Sequence, residues 1–320
     1  MDKQWYQEKE QARTSLPFKI TLWLVKNLPL PVVCVIAFPI SFFYYLFSKR
    51  ARTEILRFQM QMREFTGGHV PHKISVYKTV FSFSLCLIER FAGWLGKIDE
   101  EDIFYNDDDI DDYWDNLLAG QGCLLMCSHL GNMDLLRSLS TFSRAGVDHV
   151  VPVTVVMEIN SSEKFNNVLK SVNQDYQLTA LDPTDITPET IIQLQEKIAR
   201  GEIVVVTGDR VSAHSANRFI RTKFLGKEAN FPYGVFLMAA LLECPSYFCF
   251  GLRDDPVMIR PINAVYMQKA NTQFKDCPRK ERDERIRAFC EEYVMQLEKY
   301  AMWFPNQWYN IFNFWAGDEK

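Results

Sequence analysis

The chain has 320 residues, 48% of them hydrophobic and 14% aromatic, with a formal net charge of −4. Such a chain can bury a sizeable core, and its composition excludes disorder, which needs low hydrophobicity and high net charge. It also excludes the global basic field that nucleic-acid binding calls for, although local basic clusters remain.

Residues 1–19 are polar, with Trp5 and several charges, and suit a short interfacial helix. Leu28–Phe47 follows, twenty residues without a charge. A helix of that length spans about 30 Å, the thickness of a bilayer core. Lys49, Arg50 and Arg52 come next, a basic flank expected on the cytoplasmic side. Pro39 would kink the helix, so a buried core helix and a kinked helix lying in one leaflet compete with a full crossing. A cleavable signal peptide is not expected, since the apolar stretch starts late and no small-x-small site follows.

Residues 51–65 put Ile55, Phe58 and Met62 on one face of an amphipathic helix, which Gly67-Gly68 ends. Residues 73–95 predict another helix. The acidic run 106–112 lacks the glycine and final glutamate of a calcium-binding helix–loop–helix and reads as a solvated loop. From residue 120 strands and helices alternate. Strands are predicted at Cys123–Cys127, Val150–Val156, Gln177–Ala180, Ile203–Thr207 and Ser246–Gly251. Helices are predicted at 131–145, 161–173, from Thr187-Pro188-Glu189, at 232–243 and at 280–302. The fold expected is α/β, a mixed, mostly parallel central sheet flanked by helices. Residues 1–65 would form an N-terminal membrane-anchoring helical region and 66–320 the α/β domain.

The eight cysteines (Cys34, Cys86, Cys123, Cys127, Cys244, Cys249, Cys277, Cys290) form no Cys-x-x-Cys pair and sit mostly among apolar neighbours. They read as buried free thiols of a reducing compartment. His69, His72, His149 and His214 show no metal-ligand spacing, and no metal is expected.

Three segments carry candidate chemistry. In Cys127-Ser128-His129-Leu130-Gly131-Asn132-Met133-Asp134 a buried strand runs into a helix through a Gly-Asn turn. His129 then stands at the C-terminal end of a strand, where open α/β sheets bind ligands. If the chain turns back at Gly131-Asn132, Asp134 reaches the imidazole, fixes its tautomer and stabilises its charged form. The free ring nitrogen can then take a proton from a hydroxyl, with no serine or cysteine nucleophile required. A histidine merely satisfied by an aspartate is the competing reading, and this spacing alone does not decide between them.

The second segment, Gly201–Arg210, is another strand ending in polar residues at the same presumed edge, with Asp209 and Arg210 as ligand-binding candidates. Arg210 suits an anion or charge developing on a thioester oxygen. A surface Asp–Arg pair is the plainer alternative. The third, Lys223–Gly234, is a glycine-punctuated loop ahead of a helix, with Arg218, Arg221, Lys223 and Lys227 clustered nearby. It suits a phosphate, a phospholipid surface or an acidic carrier protein, against an ordinary solvated loop. Gly226, Gly234, Arg218 and Lys223 are its substrate-binding candidates. No Gly-x-Ser-x-Gly elbow and no complete phosphate-binding loop is present.

Taken in order, Ser-His-Leu-Gly-Asn-Met-Asp, Thr-Gly-Asp-Arg, Phe-Leu-Gly-Lys-x-Ala-x-Phe-Pro-x-Gly and the ending Trp303-Phe-Pro-Asn-Gln-Trp-Tyr-Asn-Ile-Phe-Asn-Phe-Trp315 carry a resemblance. Nearly the whole chain resembles the bacterial lipid A biosynthesis (late) acyltransferase family of the lysophospholipid acyltransferase superfamily. It is most like the members found in aryl polyene gene clusters. The resemblance implies an O-acyltransferase of the bacterial inner membrane, acting on the cytoplasmic face. It implies transfer of a fatty acyl chain from acyl carrier protein, or from acyl-coenzyme A, to a lipid or glycolipid hydroxyl. The thioester is then a co-substrate, and no cofactor is expected. The family's catalytic pair maps onto His129 and Asp134, its arginine onto Arg210 and its helix-starting glycine onto Gly234. Gly131 and Asn132 are expected beside Arg210 in binding the oxyanion, donor or phosphate. Many lipid A enzymes have Glu at the position of Asp134, and the Phe231–Gly234 segment lacks the Glu and Thr-Arg of the glycerolipid enzymes, which leaves the acceptor open. A thioesterase acting on the same donor and a non-catalytic membrane scaffold are the alternative functions.

Overall fold

A computed structural model of the chain describes residues 16–70, 73–98, 100–105, 109–141, 150–157, 178–211, 218–253 and 263–315. The helix expected at 161–173 and the first fifteen residues lie outside this set. Among the described residues four helices come first: α1 (Leu16–Asn27), α2 (Leu30–Phe47), α3 (Lys49–Phe65) and α4 (Val76–Trp94). Strand β1 (Ile103–Tyr105), helix α5 (Asp109–Leu118), β2 (Cys123–Cys127), the one-turn α6 (Ser138–Thr141), β3 (Val153–Val156) and β4 (Leu178–Leu181) follow. The rest is α7 (Pro188–Ala199), β5 (Ile203–Thr207), β6 (Phe219–Phe224), β7 (Lys227–Pro232), α8 (Tyr233–Leu242), β8 (Ser246–Arg253), β9 (Asn263–Lys269) and α9 (Arg282–Trp303).

The architecture is α/β. Among the described residues seven strands form one sheet in the order β1-β9-β8-β2-β5-β3-β4, and every neighbouring pair is parallel except β8–β9. A strand at the centre of such a sheet has both faces covered, which is why Cys-Leu-Leu-Met-Cys of β2 is apolar throughout and wholly buried. Alternate residues serve opposite faces. Leu124 and Met126 join Val204, Val206, Phe248 and Phe250 in a core with α7, α8, α9 and the C-terminal segment. Cys123, Leu125 and Cys127 face α5 on the other side. All eight cysteines are free thiols, seven of them buried.

Several local expectations change. The acidic run, read as a solvated loop, begins helix α5 at Asp109, where carboxylates complement the helix dipole. Asp109 accepts from the Lys269 backbone N–H, and Asp112 pairs with the Lys269 ammonium, so the run pins the end of β9. Where a helix is predicted at 131–145, the described part is a 3₁₀ turn, Met133–Arg137, running into α6, and residues 142–145 lie outside the described set. The glycine-punctuated loop is the β6–β7 hairpin, whose tip places Leu225 and Gly226 at positive φ (50° and 79°). Strand β1, the hairpin strands and β9 escaped prediction. The start of α7 follows its sequence signal, with Pro188 in the first turn and reciprocal Thr187–Thr190 hydrogen bonds.

Helices α1, α2 and α4 share a third cluster built around Val25, Val33, Phe81, Leu85 and Phe91. Helix α2 has a mean hydropathy of 2.1 and is the one helix among the described residues long and apolar enough to cross a membrane. Pro39 is accommodated inside it. Its inner face (Val33, Cys34, Ala37, Ser41) is buried, while Val35, Phe43 and Phe47 are exposed, Phe47 by 83%.

One buried ion pair ties this helical layer to the sheet. Glu89 of α4 accepts from Arg253, the last residue of β8, with the two side chains 7% and 8% exposed. Removing one member of such a pair leaves a buried, uncompensated charge. Glu89→Leu should therefore lower unfolding free energy by about 3–5 kcal/mol. Adding Arg253→Met should recover most of the loss, which chemical denaturation of both variants measures.

Candidate active site

Strands β2 and β5 are parallel neighbours with Cys127 in register with Thr207. His129 and Asp209 each lie two residues beyond those partners, so both emerge at the same C-terminal edge of the sheet. They meet there through two contacts. The His129 backbone N–H donates to Asp209 Oδ2 at 2.8 Å, and the ring Nδ1 lies 2.9 Å from Oδ1. Just below, Gly208 N and the Tyr293 hydroxyl both donate to the Cys127 carbonyl, at 3.0 and 2.8 Å. A Cβ on Gly208 would stand 2.9 Å from the Tyr293 ring and from Met126, so a glycine is needed for this close approach.

Asp209 has no exposed side-chain surface. Burial opposes its charge, but His129, Arg210 and the amide of Asn310 outweigh it and hold the carboxyl at about 2. His129 keeps 26% of its side chain exposed. Desolvation and the Arg210 guanidinium push its pKa below 6.5, against the pull of Asp209. Near neutral pH the pair is thus a neutral imidazole beside a carboxylate. Because the carboxylate only accepts, Nδ1 carries the proton and Nε2 keeps a lone pair.

The turn after His129 is clamped from two sides. Segment 307–310 returns along it: Leu130 bridges Trp308, Gly131 N donates to the Gln307 carbonyl, and Tyr309 N donates to the His129 carbonyl. The Gln307 amide in turn bonds both backbone groups of Arg253, at 2.9 and 2.7 Å. On the other side β8 runs beneath the turn, and Asn132 N donates to the Gly251 carbonyl at 2.7 Å. Gly131 sits at φ +76°, where a Cβ would lie 2.1 Å from that same carbonyl oxygen. Behind the returning segment, Trp308 is stacked between Phe58 and Phe224 at centroid distances of 4.8 and 5.1 Å.

The expected partnership of His129 with Asp134 is corrected by this geometry. Asp209 occupies Nδ1, while Asp134 accepts from Arg90 and from the Trp94 indole N–H, both on α4. Sequence proximity lost to strand register: the 3₁₀ turn that starts at Met133 directs Asp134 toward α4. The backbone N–H groups of Gly131 and Asn132, expected to bind an oxyanion or phosphate, are used by Gln307 and Gly251. The Asn132 side chain caps Asp134 N through Oδ1, and its Nδ2 is buried without a hydrogen bond. Asp209, expected to bind substrate, is wholly buried and holds the histidine instead.

Arg210 does lie beside the pair. Its Nε donates to Asn310 Oδ1 at 2.7 Å, and its guanidinium lies 5.7 Å from the Phe312 ring centroid. Arg218, Lys223 and Gly226 belong to the hairpin segment, where Arg218 and Lys223 are exposed. The hairpin tip is fastened to other elements: Gln61 donates to the Leu225 carbonyl and Glu298 accepts from Leu225 N. Gly234 opens α8 with free space around it. The sequence assigns no chemistry to Arg90, and it places Tyr309 and Asn310 only within the Trp303–Trp315 ending. A signal existed for Asn310, a polar residue inside an aromatic run. Among the described residues no three His, Cys, Asp or Glu side chains gather as metal ligands. No protein-family model matches the chain, and no curated protein matches it.

The protonation state is open to direct measurement. The His129 imidazole should titrate below pH 6.5 by NMR. Asp209→Asn should move the midpoint lower still, because the carboxylate is the neighbour that favours the imidazolium. A midpoint at or above 6.5 in the unaltered chain would contradict the charge balance described.

Proposed function

We propose that the chain is a membrane-attached O-acyltransferase that moves a fatty acyl group from a carrier-protein or coenzyme A thioester to a hydroxyl of a lipid or glycolipid. The observation that carries this reading is the His129–Asp209 pair at the sheet edge, a neutral imidazole held by a buried carboxylate, with Arg210 alongside. Nε2 of His129 accepts the proton of the acceptor hydroxyl as its oxygen attacks the thioester carbonyl. Asp209 stabilises the resulting imidazolium. The positive charge of Arg210 favours the oxyanion of the tetrahedral intermediate. Collapse forms the ester and breaks the carbon–sulfur bond, and the departing thiolate takes the proton from Nε2.

Direct transfer, without an acyl-enzyme, is favoured by the neighbours of His129. Ser128 is buried with its Oγ accepting from Leu130 N, and burial raises the Cys127 thiol well above its ordinary pKa. The sequence resemblance to lipid A acyltransferases points to the same chemistry.

Membrane attachment is supported by the exposed apolar side of α2, joined by Leu16, Ile20 and Trp23 of α1. Helix α4 lies between that layer and the catalytic turn. It packs on α2 through Phe81 and Leu85 and reaches the site through Arg90, Trp94 and the Ser82–Tyr309 hydrogen bond. A lipid acceptor held at the α2 surface would stand one helix away from His129. With Lys49, Arg50 and Arg52 following α2, this reading has the protein working at the cytoplasmic face of a bacterial inner membrane.

Purified protein incubated with acyl-carrier protein or acyl-coenzyme A and membrane lipids tests the proposal, with thioester loss and acylated lipid both measured by mass spectrometry. His129→Ala should abolish both, and Asp209→Asn should lower kcat by about 10⁴-fold, the cost of losing the correct tautomer. Asp134→Asn should cost much less, since its partners are Arg90 and Trp94. Full activity in the His129 and Asp209 variants would sink the proposal, and free fatty acid without acylated lipid would make the protein a thioesterase. Separately, Phe43→Ser with Phe47→Ser should release the protein from floating anionic lipid vesicles.

A further inference from the structure

Asn310 is 2% exposed and stands between the two charged groups of the site. Its Nδ2 donates to Asp209 Oδ2 at 2.8 Å, and its Oδ1 accepts from Arg210 Nε at 2.7 Å. Each partner works in one sense only, since a carboxylate accepts and a guanidinium donates. The amide is therefore fixed in one orientation, and among side chains of this size Asn is the one that carries its donor and its acceptor on two separate atoms, one for each partner. Aspartate would offer acceptors alone, and leucine neither.

We propose that Asn310 is a positioning residue of the catalytic centre, setting the orientation and proton affinity of the His129–Asp209 pair from the C-terminal segment. Three donors converge on the Asp209 carboxylate: His129 Nδ1 on Oδ1, and the His129 backbone N–H with the Asn310 amide on Oδ2. Each donor withdraws charge from the carboxylate. Without the Asn310 bond, Asp209 is a stronger base and holds an imidazolium more tightly. Without the Asn310 carbonyl, the guanidinium of Arg210 loses its 2.7 Å anchor beside the imidazole. Both changes raise the pKa of His129. Among the described residues, the other charged or titratable groups facing the pair are Arg90 of α4, Tyr293 of α9 and Cys127 of β2. None of these changes when Asn310 is replaced.

The kinetic consequence rests on the acyltransferase reading, whereas the titration does not, which lets the two be separated. The NMR midpoint of His129 should rise in Asn310→Ala. The acidic limb of kcat/KM should move up with it, and kcat at pH 8 should fall by about 10²-fold through misplacement, with KM little changed. Asn310→Leu, nearer in size to Asn, gives the same test if the alanine variant does not fold. Asn306→Ala is the control. Asn306 fastens the same segment through the Ser75 N–H and the Lys73 carbonyl without touching the pair, so its loss should leave the midpoint in place. An unmoved His129 midpoint in a folded Asn310 variant, or an equal shift in Asn306→Ala, overturns the inference. A shifted midpoint in a chain that never transfers an acyl group keeps the positioning role and removes the proposed function.

Discussion

The structure around the site depends on keeping the Asp209 carboxylate charged although its side chain has no exposed surface. A buried anion is tolerable only when donors and a countercharge surround it. Its donors come from far apart in the chain: the His129 main chain and ring, and the amide of Asn310. Those donors are brought together by the register of β2 against β5 and by the return of the C-terminal segment across the sheet edge, with Arg210 as the neighbouring positive charge. The same carboxylate selects the tautomer of His129, so the constraint that shapes the fold locally also sets the chemistry available there.

A second organising element is α4, which takes part in two environments. One face packs with α1 and α2 in an apolar layer, and another carries Glu89, Arg90 and Trp94 to the end of β8 and to the turn after His129. The aspartate of the His-x-x-x-x-Asp motif is bound here. Its position five residues after the histidine joins the turn to the helical layer, while the histidine turns toward β5. Two acidic residues thus divide the work, one holding the imidazole and one holding the turn that carries it.

Much of the fold was legible wherever a local pattern coincided with a local cause. Cys123–Cys127 and Ile203–Thr207 were read to the residue because central parallel strands must be apolar on both faces. The Thr187-Pro188 start was read because a cap and a first-turn proline act within one turn. The β6–β7 hairpin was equally local, with Phe219–Phe224 alternating between exposed and buried, but its glycine led to a loop reading. The choice between Asp134 and Asp209 was of another kind. Both carboxylates were visible, and so was their shared sheet edge, but only the pairing of Cys127 with Thr207 tells which one reaches the ring. Asn310 was harder still, since its partner Asp209 lies 101 residues earlier and no periodicity connects them.

The order of the chain gives the returning segment a meaning in time. A polypeptide is made from its N-terminal side at about 5–20 residues per second. The 101 residues from Asp209 to Asn310 thus take roughly 5–20 s to synthesise. By then α1, α2 and α4 have all been made and can pack on one another, while the histidine turn still lacks the strand-like segment that closes it. A growing chain therefore holds His129 and Asp209 well before Asn310 exists, so the buried carboxylate gains that donor late in folding.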